Sequence, residues 1–241
     1  MNPEPMFSSS RRSTVVAAIL SLTLLAPAAA IFAAGSGPSS APSGSGMTQT
    51  GPTMTPAQQA AMRYNHGLKL QKKGDEAEKQ AASASDEKKR TKAMESAQKA
   101  WGKARQDYEQ AVSLDPKNHQ AHGALGYVLR KQGNFDASLA SYERALQIKP
   151  GFTPAIEYRA EAYLGLNRIE EAKADYITLF ATDRANADTL AAAMTKWVEE
   201  KKKDPKGVEP ATIDDLTKWL ESRQEIAAKT SALLPPKDAR W

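Results

Sequence analysis

The chain has 241 residues, 41% of them hydrophobic and 25% charged, which suits one medium-sized domain with tails. It has no cysteine, and that excludes disulfides, a thiolate nucleophile and cysteine-ligated metal. The formal net charge of +5 is spread among many acidic residues, so it does not demand a nucleic-acid partner.

Arg11 and Arg12 precede an apolar stretch from Thr14 to Ala34, which holds Leu24-Leu25 and then Ala28-Ala29-Ala30. A positive flank, an apolar run and a small-residue exit read as a secretory signal, with cleavage near Ala30 or Ala34. The stretch is also long enough to span a bilayer as an uncleaved anchor. Residues 1–34 are therefore expected to be a signal peptide or membrane anchor. The chain is expected to be periplasmic or secreted after cleavage, with inner-membrane anchoring as the alternative. Pro27 and the many alanines favour cleavage. Residues 35–55 are rich in Gly, Ser and Pro and show no apolar periodicity, so they read as a flexible linker.

From Thr55 onward the signals are helical. Thr55-Pro56 is a cap followed by proline at the first helical position. Helices are predicted at 57–73, 86–114, 119–132, 135–148, 153–165, 169–182, 187–202 and 212–232. Asp115-Pro116-Lys117-Asn118, Gly133-Asn134 and Lys149-Pro150-Gly151 supply turn chemistry between them. No alternating strand pattern occurs, so the fold class is all-α.

The helices repeat. Tyr108, Tyr142 and Tyr176 stand 34 residues apart, and Trp101, Phe135 and Ile169 keep the same step. A second series runs Leu129, Tyr163, Trp197. A fixed period of this size means stacked units rather than one globular core.

Ala124-Leu125-Gly126-Tyr127, Gly133-Asn134-Phe135, Tyr142-Glu143-Arg144-Ala145-Leu146 and Pro150 resemble the tetratricopeptide repeat. Residues 153–184 resemble a second copy through Ala160, Tyr163, Ala172 and Tyr176, and depart from it at Arg159, Leu179 and Arg184. An earlier copy looks split. Tyr64 to Gly67 resemble its first helix and Gly74-Asp75 its turn, while Trp101, Ala104, Tyr108 and Leu114-Asp115-Pro116 resemble its second helix. The resemblance implies a helical-hairpin solenoid of about three repeats over 56–184, with an insertion at 76–100. Capping helices are expected at 185–234 and a tail at 235–241. Residues 187–202 look like the first helix of a fourth unit without its partner. Residues 212–232 suit a cap, with Thr212 and Asp215 as a capping-box-like start. Its apolar stripe is Ile213, Leu216, Leu220 and Ala227, with Trp219 and Ile226 beside it.

The insertion is rich in Ala, Lys, Glu and Gln, all good helix formers, and Ser85 is a plausible N-cap within it. Both helices of the first unit are thus expected to lengthen into a protruding hairpin. It reads either as a solvated helical extension or as a partner-specific arm with a basic tip at Lys88, Lys89, Arg90 and Lys92.

The resemblance implies that first helices line a concave groove. Carried over by repeat position, the partner-binding residues are Tyr64, Leu68 and Gln71, then Gln120, Gly123, Tyr127 and Arg130, then Pro154, Glu157, Glu161 and Leu164. Tyr64 and Leu68 stand where the family's binders of chaperone tails carry Lys and Asn, which argues against a carboxylate clamp.

His66 reads as a core residue, and His119 and His122 share one face at a helix start. Two histidines fall short of the three or four ligands a zinc site needs. No phosphate loop, nucleophile elbow or His-Glu-x-x-His motif occurs. No catalytic residue, cofactor or metal is expected, and the chain is not expected to be an enzyme. The expected function is an exported module that binds a protein or peptide in the cell envelope. The alternatives are a structural scaffold for an envelope assembly, a binder of anionic polymer or an enzyme with an unrecognised site. Nucleic acid is not expected as a partner, and a membrane only through the N-terminal segment.

Overall fold

The computed structural model describes residues 54–233. The expected signal or anchor segment, the linker up to residue 53 and the tail at 235–241 lie outside the described residues. Eight helices follow one another: α1 (Pro56–Ser83), α2 (Glu87–Leu114), α3 (His119–Lys131), α4 (Phe135–Ile148), α5 (Thr153–Gly165), α6 (Ile169–Thr182), α7 (Arg184–Lys203) and α8 (Pro210–Leu233). Among the described residues there is no strand.

Each helix packs on the next, forming antiparallel pairs. The odd-numbered helices also touch one another, α1 with α3, α3 with α5 and α5 with α7. They form one layer and the even-numbered helices the other, which is the two-layer stack of a helical solenoid. The turns explain the helix ends. Gly133 adopts φ 77° after α3, and the equivalent position after α5 is Asn167 at φ 58°. Asn is among the few residues besides Gly that enter this left-handed region readily.

The pairs are held by aromatic rings laid on glycines. A Cβ added at Gly126 would lie 2.5 Å from Tyr142 Cε1, and one at Gly67 would lie 2.6 Å from Tyr108 Cε1. Both tyrosines are fully buried. Polar links reinforce the first and third pairs at matching positions. His66 Nδ1 lies 2.6 Å from Asp107 Oδ2, and Arg159 donates to both Asp175 oxygens at 2.6 and 2.9 Å. The departure at Arg159 is thus a salt bridge across the pair. Burial pushes the Asp175 carboxyl up, and Arg159 only partly offsets this.

Several local expectations are corrected. α1 does not stop at residue 73, and Gly74-Asp75 is not a turn. Gly74 is buried inside α1, where a Cβ would meet the Trp101 indole at 2.4 Å. The glycine serves close approach, and the helix formers after it carry α1 on to Ser83. The hairpin does protrude, with its turn at 84–86 and an inner seam of Ala77, Ala81 and Ala97. The N-cap of α2 is Asp86 rather than Ser85, since its side chain accepts from the Lys89 N–H at 2.9 Å. α7 starts three residues earlier than expected because Asp183 caps it. α8 starts at Pro210, so Thr212 lies within the first turn and forms no capping box. α7 does have a partner helix in α8, which buries Ile213, Leu216 and Leu220. Trp219 meets Tyr176 edge-on at 5.1 Å, but Ile226 is exposed. His66 is not a core residue, its side chain being 60% exposed.

The Gly126–Tyr142 contact makes a quantitative prediction. Tyr142→Ala should lower stability by about 3–5 kcal/mol, as a large-to-small core change. Gly126→Ala alone should cost about 1–3 kcal/mol through overpacking. In the Tyr142→Ala background the same substitution should cost almost nothing, because the ring it meets is gone. Urea denaturation of the four proteins in the cycle checks this coupling.

Candidate functional site on the odd-numbered helices

The predicted partner-binding residues divide into three groups. Tyr64, Leu68 and Gln71 of α1 face Gln120 and Tyr127 of α3 across a groove of about 140 Å³. α5 completes it with Pro154, Ala155 and Tyr158, and Phe152 from the α4–α5 turn forms part of the wall. The predicted Gly123 forms the floor, and a Cβ there would lie 2.9 Å from Phe152 Cε1. Phe152 was missed from the sequence, and the family resemblance places Tyr158 only at a basic position of the family's carboxylate clamp. Tyr158 sits one residue beyond the position the repeat register selects, and Phe152 precedes its helix.

Arg130, Glu161 and Leu164 line a second cavity of about 310 Å³ with Glu78, Lys131, Phe135, Lys196, Trp197 and Glu200. Three acids and three bases face this space. Arg130 pairs with Glu161 and Lys131 with Glu78, while Lys196 and Glu200 lie 3.8 Å apart. Trp197 is anchored by its indole N–H, which donates to the Leu164 carbonyl at 2.9 Å.

Glu157 joins neither group of lining residues, being only 6% exposed. Burial pushes its carboxyl up to about 7; Glu161 and Asp183 add to the shift and Arg130 opposes it.

The border between the two spaces is a polar chain. Asp75 Oδ1 accepts from the Trp101 indole at 2.9 Å and from the Tyr127 hydroxyl at 3.0 Å. Arg130 lies over the Tyr127 and Tyr158 rings at 5.4 and 5.3 Å. Burial works against the Arg130 charge, but Glu161 together with Tyr142 and Tyr127 more than offsets it, so the guanidinium titrates above its ordinary value. α1, α2, α3 and α5 are thereby tied together. Arg130 is not the exposed contact residue the sequence implied. Its side chain is 13% exposed and is structurally engaged.

The remaining histidines have structural surroundings. His119 meets Phe152 edge-on at 4.9 Å, and His122 Nε2 lies 3.1 Å from the Pro116 carbonyl. Among the described residues no three His, Asp or Glu side chains converge on a metal position.

Models of the tetratricopeptide repeat match two overlapping stretches, residues 96–151 and residues 129–196. The chain carries tetratricopeptide repeats over residues 96–196. The matched stretches begin within α2, at residue 96, and run on into α7, whereas α1 and the hairpin tip lie outside them. No curated protein matches the chain. Tetratricopeptide repeats mediate protein–protein interactions and are generally non-catalytic. Here the odd-numbered layer has both an uncharged aromatic part and a charged part.

Two outcomes are expected from this geometry. Arg130→Ala should lower stability by about 2–4 kcal/mol, because it leaves Glu161 without its partner. Thermal or urea unfolding measures this directly, and an unchanged midpoint would show that Arg130 is a free contact residue. The second concerns pH. The Glu157 carboxyl has an unfolded value of about 4.3 and a folded value of about 7. Between these the native state holds a proton that the unfolded state has lost, so this group's contribution to stability falls as pH rises. Glu157→Gln should therefore raise the melting temperature at pH 8 and leave it nearly unchanged at pH 4.

Proposed function

We propose that this tetratricopeptide repeat protein is exported and binds a protein or peptide partner in the cell envelope, across its odd-numbered helices. The convergence of Tyr64, Leu68, Gln71, Gln120 and Tyr127 on one groove carries this reading. These residues come from two helices about 50 residues apart in the chain. Leu68 is 38% exposed although it is a large apolar side chain, which fits a surface meant to be covered. Arg11-Arg12, the apolar run after them and the Ala28-Ala29-Ala30 exit support export. An uncleaved segment would tether the same module to the inner membrane.

A second reading, a scaffold for an envelope assembly, draws on the α1–α2 hairpin, whose outer faces pack on nothing in the described residues beyond its base. Photo-crosslinking in intact cells separates the two readings. A crosslinker beside Leu68 should capture a partner, and Leu68→Ala should weaken that complex by about 1–2 kcal/mol without lowering the melting temperature. Capture from the hairpin tip alone, unaffected by Leu68→Ala, favours the scaffold. Fractionation tests the location: a full-length chain confined to the soluble cytoplasm contradicts export.

A further inference from the structure

The charge distribution on the concave layer narrows the chemistry of the partner. None of the residues lining the Tyr64–Tyr158 groove is charged, although the chain as a whole is 25% charged. Two of the ionic groups beside the groove are engaged with the fold itself, while Lys149 stands outside the lining, over the Phe152 ring at 5.8 Å. Arg130 pairs with Glu161 under two tyrosine rings, and Asp75 accepts from Trp101 and Tyr127. A charged side chain entering the groove would lose water and meet no charged lining residue, which is unfavourable. What the groove does offer is neutral. Among the described residues, the Tyr64 and Tyr158 hydroxyls and the Gln120 amide have no hydrogen-bond partner. Gln71 accepts from the Tyr108 hydroxyl at 2.7 Å through Oε1, which leaves its amide N–H groups. Amides and hydroxyls match the donors and acceptors of an extended backbone, and rings flank the space between them.

We propose that this groove takes an extended segment of a partner protein that is uncharged where it docks. The segment is anchored by a proline, aliphatic or aromatic side chain, and its backbone is met by Gln71 and Gln120. The proposal rests on the reading of the concave layer as the binding face. Gly123 shapes the pocket by letting the Phe152 ring fold into the wall, and Tyr127 and Tyr158, 5.1 Å apart at 64°, close the far side. The volume of about 140 Å³ accommodates a single anchor side chain rather than a packed helix face. Proline-bearing extended segments fit such aromatic-walled grooves well, because their backbone is already ordered and its polar groups point outward.

The test is selection of a random dodecapeptide library displayed on phage, using the full chain as bait. Synthetic peptides of the enriched sequences are then titrated against the wild type, Leu68→Glu and Gln120→Glu. Leu68 and Gln120 are exposed, so both variants should fold, and their melting curves confirm it. The expected result is enrichment of peptides with an uncharged core containing proline, aliphatic or aromatic residues, with affinity at least about tenfold lower for either variant. Enriched acidic or basic cores whose binding is still sensitive to Leu68→Glu overturn the proposed chemistry and leave the binding face standing. Peptides that bind both variants as well as the wild type, or no enrichment at all, overturn the binding face itself. Self-association of the chain that Leu68→Glu abolishes would identify a second copy as the occupant. Enrichment only when residues 35–53 are replaced by a charged linker would identify that uncharged segment. Either result overturns an external partner.

Discussion

The close approach of paired helices through glycine is the contact on which the remaining structure depends. Gly67 under Tyr108, Gly74 under Trp101 and Gly126 under Tyr142 each bring two helix axes near enough for a flat ring to fill the space between them. An alanine at any of these positions would place a carbon inside that ring's van der Waals envelope. Once the pairs have formed, each still has an apolar face that it cannot cover alone. Stacking covers it, which explains why the buried residues form two clusters, one around α1–α3 and one running from α4 to α8. The helices of the odd-numbered layer then meet one another, and their exposed sides become a single surface.

That surface is divided by its electrostatics. Toward the starts of α3 and α5 it is neutral and aromatic, and toward their ends it carries ion pairs. The Arg130–Glu161 pair stands between the two parts and also helps hold the units together. Its position couples any effect of mutating Arg130 to folding, whereas Leu68 and Gln120 are exposed. Buried Glu157 beside this pair has a physical cost at neutral pH, because its charge is disfavoured by burial and by Glu161. Arg130 reduces that cost without removing it.

The extended first unit differs from the others in how it ends its first helix. In the second and third units the chain turns through the left-handed region at Gly133 and Asn167. At the matching Gly74 it stays helical for another turn and a half and beyond, to Ser83. Lys131 then reaches from α3 to Glu78 and lies over the Trp101 ring at 5.0 Å. The base of the hairpin is thereby fastened to the second unit.

Much of the architecture was legible in the sequence, because helix periodicity, turn residues and a 34-residue interval are local or strictly repetitive signals. They determined the all-α class, the eight helices, the pairing of the first six, and the placement of Tyr108, Tyr142 and Tyr176 in the core. The resemblance to the tetratricopeptide repeat implied that Tyr64, Leu68, Gln71, Gln120 and Tyr127 share one face. Gly74 was misread because a glycine required for close packing and a glycine required for a turn look alike in sequence, and only the ring opposite distinguishes them. The roles of Arg130 and Glu157 were likewise beyond the repeat register. Register gives the direction of a side chain, while burial and ion pairing depend on what neighbouring units place beside it. The sequence by itself therefore determined the units and the face they present. The tertiary structure alone decided which residues of that face are left exposed and which are engaged in holding the units together, because burial and charge pairing arise only where separate units meet.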